Sequence, residues 1–332
     1  MPDPVLTAAI DRVASGADLG ADEASAVLGV IMAGEASDAQ IAGFLLALRT
    51  KGVTVDELSG LARTMRELAA PVRTRRVDLV DTAGTGGGRS TFNVSTTAAL
   101  IAAGAGCAVA KHGNRSATSM SGSADLLEAL GVSIGLDPEA VARCIDEIGF
   151  GFMFAPGHHR AMRHVMPVRN ELAVRTVFNF LGPLTNPAGA RRQVVGVSDP
   201  AFVETIAGAL AVLGVRRALV VCSQDALDEM SIAAPTHVVE VNGDDIRTYT
   251  VTPEDVGLAT EPDLEATSGG TPQDNAAVTR AILAGETGAR RDLAVLNAGA
   301  AIYAAGRADD LSEGVRAAQA ALDDGSAART LD

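Results

Sequence analysis

The residues that could do chemistry are concentrated between Asp81 and Ser123. This stretch begins D-T-A-G-T-G-G-G-R-S-T-F-N-V-S-T and ends K-H-G-N-R-S-A-T-S-M-S-G-S. The Gly-Thr-Gly-Gly-Gly run at Gly84–Gly88 allows positive φ angles and a close approach of the backbone to a ligand. The loop opens onto a predicted helix at 95–104, whose N-terminus presents N–H groups and the positive end of a dipole. The pattern therefore predicts an anion site, most simply for a phosphate.

A second polar loop, residues 111–123, follows a predicted helix and a short predicted strand. Loops at the carboxyl ends of neighbouring parallel strands open on one crevice. The glycine spacing fits neither G-x-G-x-x-G nor G-x-x-x-x-G-K-[ST], so the two common nucleotide loops are disfavoured. The side chains expected to face the glycine loop are those of Lys111, His112, Asn114, Arg115, Ser116, Thr118, Ser119, Ser121 and Ser123. Their number favours an extended polyphosphate over a turn with only a structural role.

Two adjacent acids, Asp228 and Glu229, follow a predicted strand that ends at Cys222. Carboxylate oxygens suit Mg²⁺, which commonly takes one or two carboxylates together with waters and substrate phosphate. The residues alone leave two interpretations open, a magnesium site or a solvated turn. Asp225 and the pair Asp244–Asp245 are interpreted as solvated.

The segment 158–175 contains the other candidates. A zinc site at His158, His159 and His164 is disfavoured, because no cysteine or carboxylate completes a tetrahedral set. One or two of these histidines are expected to line a pocket. Arg169 either carries a surface charge or binds a carboxylate bidentately. No arrangement for covalent nucleophilic catalysis is recognisable.

Composition sets the broad class. The chain has 332 residues, 47% of them hydrophobic, which indicates two domains or one large one. A formal net charge of −14 argues against nucleic acid and anionic membrane surfaces as partners. Cys107, Cys144 and Cys222 lie in apolar surroundings and show no paired spacing. With no signal-peptide pattern and no membrane-spanning apolar run, we expect a cytoplasmic protein.

These candidate residues need elements to position them. Residues 1–72 read as helices only, with capping boxes expected at Ser37–Gln40 and Thr54–Glu57. Residues 73–332 read as an α/β domain. Its predicted strands are 77–81, 107–111, 152–154, 193–197, 217–222 and a hairpin over 238–251 around Asn242-Gly243. Its predicted helices are 95–104, 122–130, 138–148, 200–213, 273–284, 292–305 and 312–324. The fold class is therefore α/β, a small all-helical N-terminal domain followed by a domain with a mostly parallel sheet.

Several motifs carry a family resemblance. G-T-G-G with T-F-N-V-S-T, K-H-G-N-R-S, G-S-A-D-L-L-E-A-L-G-V, F-x-F-A-P-x-H-H, R-T-V-F-N-F-L-G-P-L-T-N-P and L-D-E-M-S together resemble anthranilate phosphoribosyltransferases. The resemblance implies a homodimer of two-domain subunits with the nucleoside phosphorylase/phosphoribosyltransferase fold. Residues of about 165–190 would contribute to the small domain, and the substrates would meet at the hinge. The implied reaction, in tryptophan biosynthesis, transfers the phosphoribosyl group of 5-phosphoribosyl 1-diphosphate to the amine of anthranilate.

The same resemblance implies site residues. Those for 5-phosphoribosyl 1-diphosphate are Gly84, Gly87, Gly88, Thr91, Asn93, Val94, Ser95, Thr96, Lys111, His112, Gly113, Asn114, Arg115, Ser116, Ala117, Thr118, Ser119 and Ser123. Those for anthranilate are Gly84, Asn114, Arg169, His112 and His159. Mg²⁺ would be held by Ser95, Asp228 and Glu229, and Lys111 and Arg169 would be catalytic.

One feature departs from the family pattern. Many members read G-T-G-G-D-G-x-x-T-F-N, whereas here Gly88 replaces the acid and the loop is one residue shorter. A carboxylate near the diphosphate or its metal is thus lost, and Arg89 is gained. The alternatives are a pyrimidine nucleoside phosphorylase-like enzyme and a non-catalytic relative that binds nucleic acid. A pyrimidine nucleoside phosphorylase should carry K-x-S-T-G-G-x-G-D, which is absent from this sequence. A nucleic-acid-binding relative should have a basic surface, which the net charge of −14 argues against.

Overall fold

The computed structural model describes residues 2–116 and 120–332. Three predicted substrate-binding residues, Ala117, Thr118 and Ser119, lie outside the described residues. The chain begins with helices only: α1 Pro4–Ala14, α2 Ala21–Ala33, α3 Asp38–Lys51 and α4 Val55–Leu68. The capping box at Thr54–Glu57 is confirmed. At Ser37 only half of the predicted box forms, because the Gln40 side chain bonds instead to Asp3 and Thr7.

One sheet organises the rest of the described chain. Its strands are β1 Leu79–Gly84, β2 Ala108–Gly113, β3 Phe150–Phe154, β4 Arg192–Gly196, β5 Arg217–Ser223, β6 Thr236–Asn242 and β7 Asp245–Val251. They are ordered β3-β2-β1-β4-β5-β6-β7. Strands β1 to β5 pair in parallel, whereas β6 and β7 form the predicted antiparallel hairpin. The predicted fold class is confirmed, while the domain boundary at residue 72 stays a prediction.

Helices cover the sheet. They are α5 Val94–Gly104, α6 Ser123–Ala129, α7 Pro138–Ile148, α8 Ala155–His158, α9 Met166–Leu172, α10 Phe178–Leu184, α11 Val203–Val212, α12 Pro272–Leu283, α13 Ala289–Ala304, α14 Leu311–Asp323 and α15 Ser326–Leu331. Short 3₁₀ helices occupy Arg160–His164, Pro200–Phe202, Pro253–Val256 and Leu264–Thr267. None of these described helices is long and apolar enough to cross a membrane.

Two strand predictions were displaced along the chain. Val77 is 95% exposed and precedes β1, which extends instead to Gly84. Likewise β2 begins at Ala108 and continues through Gly113. Parallel pairing with β4 keeps Gly84 in the ladder opposite Gly196, because a backbone hydrogen-bonding pattern does not require a side chain. The first glycine of the predicted loop therefore ends a strand.

The sheet separates two apolar cores. In β5, Leu219 and Val221 belong to the core with α5 and α13, whereas Ala218 and Val220 belong to the core with α11 and the N-terminal helices. This alternation follows from the two-residue period of a strand. The chain runs from β1 to β2 and β3 on one side of β1, and β4 lies on its other side. Such a reversal of strand order opens a crevice at the carboxyl ends of the strands.

Candidate active site

The predicted phosphate loop lies at this crevice. Gly84 ends β1 beside Gly196 of β4, Gly113 ends β2, and Ser223 ends β5, so that four loops leave one edge of the sheet. Gly86 and Gly87 have φ values of +66° and +87°, in the left-handed region that favours glycine. The glycine run therefore has the backbone geometry that the sequence predicted.

The start of α5 connects three of the predicted residues. The Ser95 N–H donates to Glu229 Oε1 at 2.9 Å, which joins the helix N-terminus to the acidic pair. Lys111 Nζ donates to the Thr82 carbonyl at 2.5 Å, to Thr82 Oγ1 at 3.2 Å and to Ser95 Oγ at 3.4 Å. Lys111 is only 1% exposed, and burial lowers the pKa of its amine to about 8. Lys111 thus supplies positive charge from beneath the loops.

The acidic pair packs against the glycines. A Cβ added to Gly84 would lie 3.0 Å from Asp228 Oδ2, and one on Gly88 would lie 2.6 Å from Asp228 Oδ1. Burial raises the pKa of Asp228, and burial together with the Asp228 charge holds the pKa of Glu229 well above its ordinary value. Among the described residues no lysine or arginine forms an ion pair with either acid. Two partly buried acids without a paired cation are chemically suited to a divalent cation.

No ready-made metal cage surrounds this pair. Within residues 2–116 and 120–332, no group of three or more His, Cys, Asp and Glu side chains could hold a metal ion. The donors available at this edge are therefore Asp228, Glu229 and the Ser95 hydroxyl. That set fits Mg²⁺, which keeps several waters and completes its shell with substrate phosphate.

The second polar loop is tied to the start of α5. Asn93 Nδ2 donates to the Ser121 carbonyl at 3.0 Å, and Asn93 Oδ1 accepts from Ser121 Oγ and from Asn275 Nδ2, each at 2.9 Å. Arg115 is engaged elsewhere, by Asp125 at 2.7 Å and Glu128 at 2.5 Å. In this structure Arg115 thus belongs to the face of α6.

The remaining predicted phosphate residues are distributed unevenly. Val94 and Thr96 are each 1% exposed, so their side chains are in the core and only their backbone could contact a ligand. Asn114 is exposed. The Thr91 carbonyl lies against Gly269, and Ser123 Oγ lies against Gly113. The backbone of His112 is held by Asp81, whose Oδ1 accepts from the His112 N–H at 3.1 Å.

Two buried imidazoles meet behind β2. The rings of His112 and His159 have centroids 5.0 Å apart, and the Nε2 atom of each is buried without a hydrogen-bond partner among the described residues. Burial lowers the pKa of His112 to about 3 and that of His159 to about 4, so both are neutral at pH 7. His158 instead bonds to the Ala70 carbonyl at 3.0 Å, and His164 packs on Gly34. The histidine segment thus divides between a buried pair and structural contacts.

Arg169 lies on α9 without a carboxylate partner in the described chain. Its guanidinium carbon is 5.4 Å from the centre of the Phe178 ring, and its Nη1 is 3.9 Å from Met166 Sδ. An arginine held by soft contacts keeps its hydrogen-bond donors available for a planar carboxylate. Neither its placement nor its surroundings oppose the predicted role.

Sequence reasoning missed Arg175. Its Nη1 donates to Ser198 Oγ at 3.2 Å and would lie 2.0 Å from a Cβ on Gly87, so the guanidinium rests on the glycine loop. It also lacks an ion-pair partner among the described residues. The available signal was a basic residue three positions before Phe178 in the R-T-V-F-N motif, which the sequence analysis did not weigh as part of the phosphate site.

Asp81 was also missed. It is fully buried, and Asn186 Nδ2 donates to its Oδ2 at 2.7 Å. Burial raises the pKa of Asp81 to about 6 despite the nearby Lys111 charge. The acid starts the D-T-A-G-T-G-G-G stretch, but its position inside a strand gave no indication of a role. It joins β1, β2 and the segment after α10.

The interpretation of Asp225 as solvated was wrong. Its side chain is 9% exposed and bonds to Arg89 Nη2 at 3.2 Å and to Ser231 Oγ at 2.9 Å. Asp244 and Asp245 are exposed at the hairpin tip, as expected. A short polar loop at a strand end gives no local sign of which acid turns inward, since that depends on a partner far along the chain.

Comparison with known proteins agrees with this geometry. Residues 7–69 match the family described as "Glycosyl transferase family, helical bundle domain", and residues 76–328 match "Glycosyl transferase family, a/b domain". The anthranilate phosphoribosyltransferase of Symbiobacterium thermophilum is 53% identical over 328 residues, covering 98% of this chain and 96% of that protein. That of Moorella thermoacetica is also 53% identical over 328 residues, with the same coverage.

Solved structures show the same likeness. The crystal structure of the Thermus thermophilus anthranilate phosphoribosyltransferase has a TM-score of 0.92 at 50% identity, covering 97% of each chain. The Saccharomyces cerevisiae enzyme, solved in complex with PRPP and Mg, has a TM-score of 0.89 at 27% identity. It covers 98% of this chain and 95% of that one.

Proposed function

The chain belongs to the anthranilate phosphoribosyltransferase family, and we infer that it transfers the phosphoribosyl group of 5-phosphoribosyl 1-diphosphate to anthranilate. The products are N-(5-phosphoribosyl)anthranilate and diphosphate, in tryptophan biosynthesis. The observation that carries this inference is the glycine loop over buried Lys111, next to an acidic pair that lacks a paired cation. A phosphorylated, metal-bound substrate supplies what that arrangement lacks.

The donor substrate is proposed to bind at the glycine loop. The positive φ values of Gly86 and Gly87 turn the backbone sharply, and the N-terminus of α5 follows directly. Backbone N–H groups and the helix dipole favour the negative diphosphate there. Buried Lys111 and the Arg175 guanidinium add positive charge against the unfavourable net charge of −14. Charge that grows on the departing diphosphate is stabilised by groups already in position.

The metal is proposed at Ser95, Asp228 and Glu229, since these oxygen donors fit Mg²⁺. A related yeast enzyme has been solved with PRPP and Mg. When bound, the ion supplies charge neutralisation for the diphosphate. The chain's own contribution is to hold Glu229 on the Ser95 N–H at 2.9 Å and to press Asp228 against Gly84 and Gly88.

The acceptor is proposed to bind between Arg169 and the buried histidine pair. Arg169 offers its guanidinium to the anthranilate carboxylate, and the neutral rings of His112 and His159 provide a dry wall. Their unpartnered Nε2 atoms can bond to the amine or to an ordered water. Binding there orients the amine towards C1 of the ribose and excludes water from it.

The reaction then requires orientation more than acid–base chemistry. The bond between C1 and the diphosphate oxygen breaks with its electron pair going to diphosphate, and the amine lone pair forms the C1–N bond. The amine then releases one proton. An aromatic amine is neutral at pH 7, so a strong base is not required, and positioning can supply about 7 kcal/mol or more of the barrier reduction. Catalysis is therefore by positioning and electrostatics.

The assembly and location are also proposals. A homodimer is supported by the resemblance and by exposed apolar side chains on α1 and α3, Val5 at 43% and Leu46 at 40%. The strongly acidic composition argues against nucleic-acid and membrane partners, and the three free cysteines fit a reducing, cytoplasmic location. Light scattering during gel filtration tests the dimer directly.

The function is tested by following anthranilate fluorescence with purified protein, 5-phosphoribosyl 1-diphosphate and Mg²⁺. We expect a protein-dependent loss of signal that stops on chelation. Arg169→Ala should raise the KM for anthranilate by about 100-fold, since a charge-assisted bidentate contact is lost, while the KM for the donor changes little. Arg163→Ala, on the neighbouring exposed 3₁₀ helix, is the matched control. A constant signal with folded wild-type protein contradicts the proposal.

A further inference from the structure

Arg89 directly follows Gly88, which stands where many related sequences have an acid in the glycine loop. Its guanidinium makes three contacts with other segments of the chain. Nη2 lies 3.2 Å from Asp225 Oδ2, while Nη1 donates to Thr267 Oγ1 and to the Leu264 carbonyl, each at 3.1 Å. The Arg89 and Asp225 side chains are 16% and 9% exposed. The Arg89 cation is therefore committed to protein partners rather than free for substrate.

Asp225 belongs to the loop that carries the acidic pair. Its two carboxylate oxygens accept hydrogen bonds from Ser223 Oγ and Ser231 Oγ, at the two ends of that loop. The loop thus closes around Asp225, and Asp228 and Glu229 lie inside the closed segment. An ion pair at Asp225 acts on the whole 223–231 loop, because the acid already joins its two ends.

The backbone of the 223–231 loop is strained at Ala226, the residue after Asp225. Ala226 has φ of +63°, a left-handed conformation that residues with a Cβ rarely adopt. Such a conformation persists only where the surroundings hold it in place. The Ala226 carbonyl accepts the Arg89 N–H at 2.9 Å, so the backbone of Arg89 supports the strained residue while its side chain binds the preceding acid.

The glycine loop and the 223–231 loop also approach each other closely at Gly88. A Cβ on Gly88 would lie 2.8 Å from the Ala226 carbonyl oxygen and 2.8 Å from the Asp228 nitrogen. Asp228 Oδ1 would be nearer still, 2.6 Å from the same Cβ, so no side chain fits at residue 88. The Arg89–Asp225 ion pair adds a side-chain connection between the two loops beside this contact.

We propose that Arg89 is a positioning residue that, through Asp225, fixes the loop of Asp228 and Glu229 against the glycine loop. The inference rests on the proposed function, which assigns the loop of Asp228 and Glu229 to the metal and the glycine loop to the diphosphate. The ion pair sets their separation before substrate arrives.

The test measures binding of 5-phosphoribosyl 1-diphosphate with Mg²⁺ by isothermal titration calorimetry, alongside steady-state kinetics. Arg89→Ala should weaken this binding by about tenfold, the effect typical of residues that orient metal ligands. The KM for anthranilate should change by less than about twofold, since that subsite is separate. Arg89→Lys should recover part of the affinity. Arg89→Ala combined with Asp225→Asn should be no worse than Arg89→Ala alone.

The matched control is Arg291→Ala, which removes a 2.7 Å ion pair with Asp323 from an equally buried arginine on α13. It should lower the melting temperature without changing donor affinity. The inference is overturned if Arg89→Ala binds the donor like wild type, if Arg291→Ala weakens binding equally, or if the two substitutions at the pair are additive.

Failure of the proposed function has a different signature. In that case wild-type protein itself neither binds 5-phosphoribosyl 1-diphosphate with Mg²⁺ nor consumes anthranilate, and both ideas are overturned together. If Arg89→Ala does not fold, the double variant Arg89→Lys with Asp225→Asn replaces it, because it also removes the ion pair. A loss of donor affinity of about tenfold in this double variant supports the inference, and wild-type affinity overturns it.

Discussion

Carboxylates withdrawn from solvent, fully at Glu240 and partly at Asp228 and Glu229, occur in two regions of this molecule under opposite conditions. Glu240 on β6 is fully buried, and its oxygens accept from Tyr249 OH and Tyr303 OH, each at 2.8 Å, and from Arg247 Nη2 at 3.0 Å. Asp228 and Glu229 lie at the edge of the same sheet without an arginine or lysine paired to them in the described chain. The first set has its partners within the protein, whereas the second has no paired cation among the described residues.

The difference shows how a binding site can be distinguished from a structural network. Burying a charge is costly unless it is paired and hydrogen-bonded. The Glu240 cluster meets that requirement with its own side chains. The acidic pair does not, and the raised pKa values of Asp228 and Glu229 reflect this deficit. A protein keeps such a deficit where function requires it.

The largest expected effect comes from removing the charge of the unpaired acids. Asp228→Asn with Glu229→Gln should lower kcat/KM by about 100-fold or more, because the proposed metal loses its carboxylates. Thermal stability without metal should be unchanged or higher, since two partly buried, mutually repelling groups become neutral. Anthranilate fluorescence and a melting curve measure the two effects.

The exposed pair Asp244–Asp245 provides the matched control, because it is another adjacent acidic pair. Asp244→Asn with Asp245→Asn should leave both activity and melting temperature unchanged. Comparable loss of activity in the control, or loss of stability in the first variant, would remove the distinction between the two regions.

Substitution in the Glu240 cluster should have the opposite effect, a loss of stability with little change in activity. Glu240→Ala should lower the free energy of unfolding by about 3 kcal/mol, because Tyr249 and Tyr303 lose a charged acceptor. Activity measured well below the melting temperature should stay close to wild type. Urea unfolding and steady-state kinetics test this, with Asp245→Ala on the same hairpin as a control. A large loss of activity at full stability would show that Glu240 also serves the site.

The smallest effect concerns the buried histidines His112 and His159, whose Nε2 atoms lack a hydrogen-bond partner among the described residues. The pKa of His159 is lowered to about 4 by burial and by His158, whereas an unfolded histidine titrates near 6.5. Stability from this residue is therefore present above pH 6.5 and lost as the pH falls towards 4. The free energy of unfolding should fall by about 2 kcal/mol more in wild type than in His159→Gln between pH 7 and pH 5.

Asp81 opposes this trend, since its pKa is raised to about 6 and its contribution grows as the pH falls through 6. The comparison between variants cancels that term, because both chains contain Asp81. His237→Gln, at a partly exposed histidine beside Glu204, is the control for the substitution itself. An unchanged slope in His159→Gln would contradict a lowered pKa of His159 in the folded chain.

The sequence by itself determined the elements and the chemical classes. Strand–helix alternation, the Asn242-Gly243 hairpin and the glycine run are local signals, and each predicts a structure within a few residues of itself. Gly84–Gly88 and Lys111 were therefore predicted to form a phosphate site, whereas the residues left Asp228–Glu229 open between a magnesium site and a solvated turn. Boundaries moved by a few residues, as at Val77, because strand ends depend on pairing with neighbours.

Only the tertiary structure decided which charges meet. Arg89 binds Asp225 across 136 residues of sequence, and Lys111 directs its amine down to Thr82 rather than into the crevice. Arg175 reaches Gly87 from a different segment. Such partnerships depend on where the sheet places loops that are distant in sequence. Local sequence patterns do not specify which distant loops meet. The sequence therefore predicted the chemical types of the site residues but not their partners.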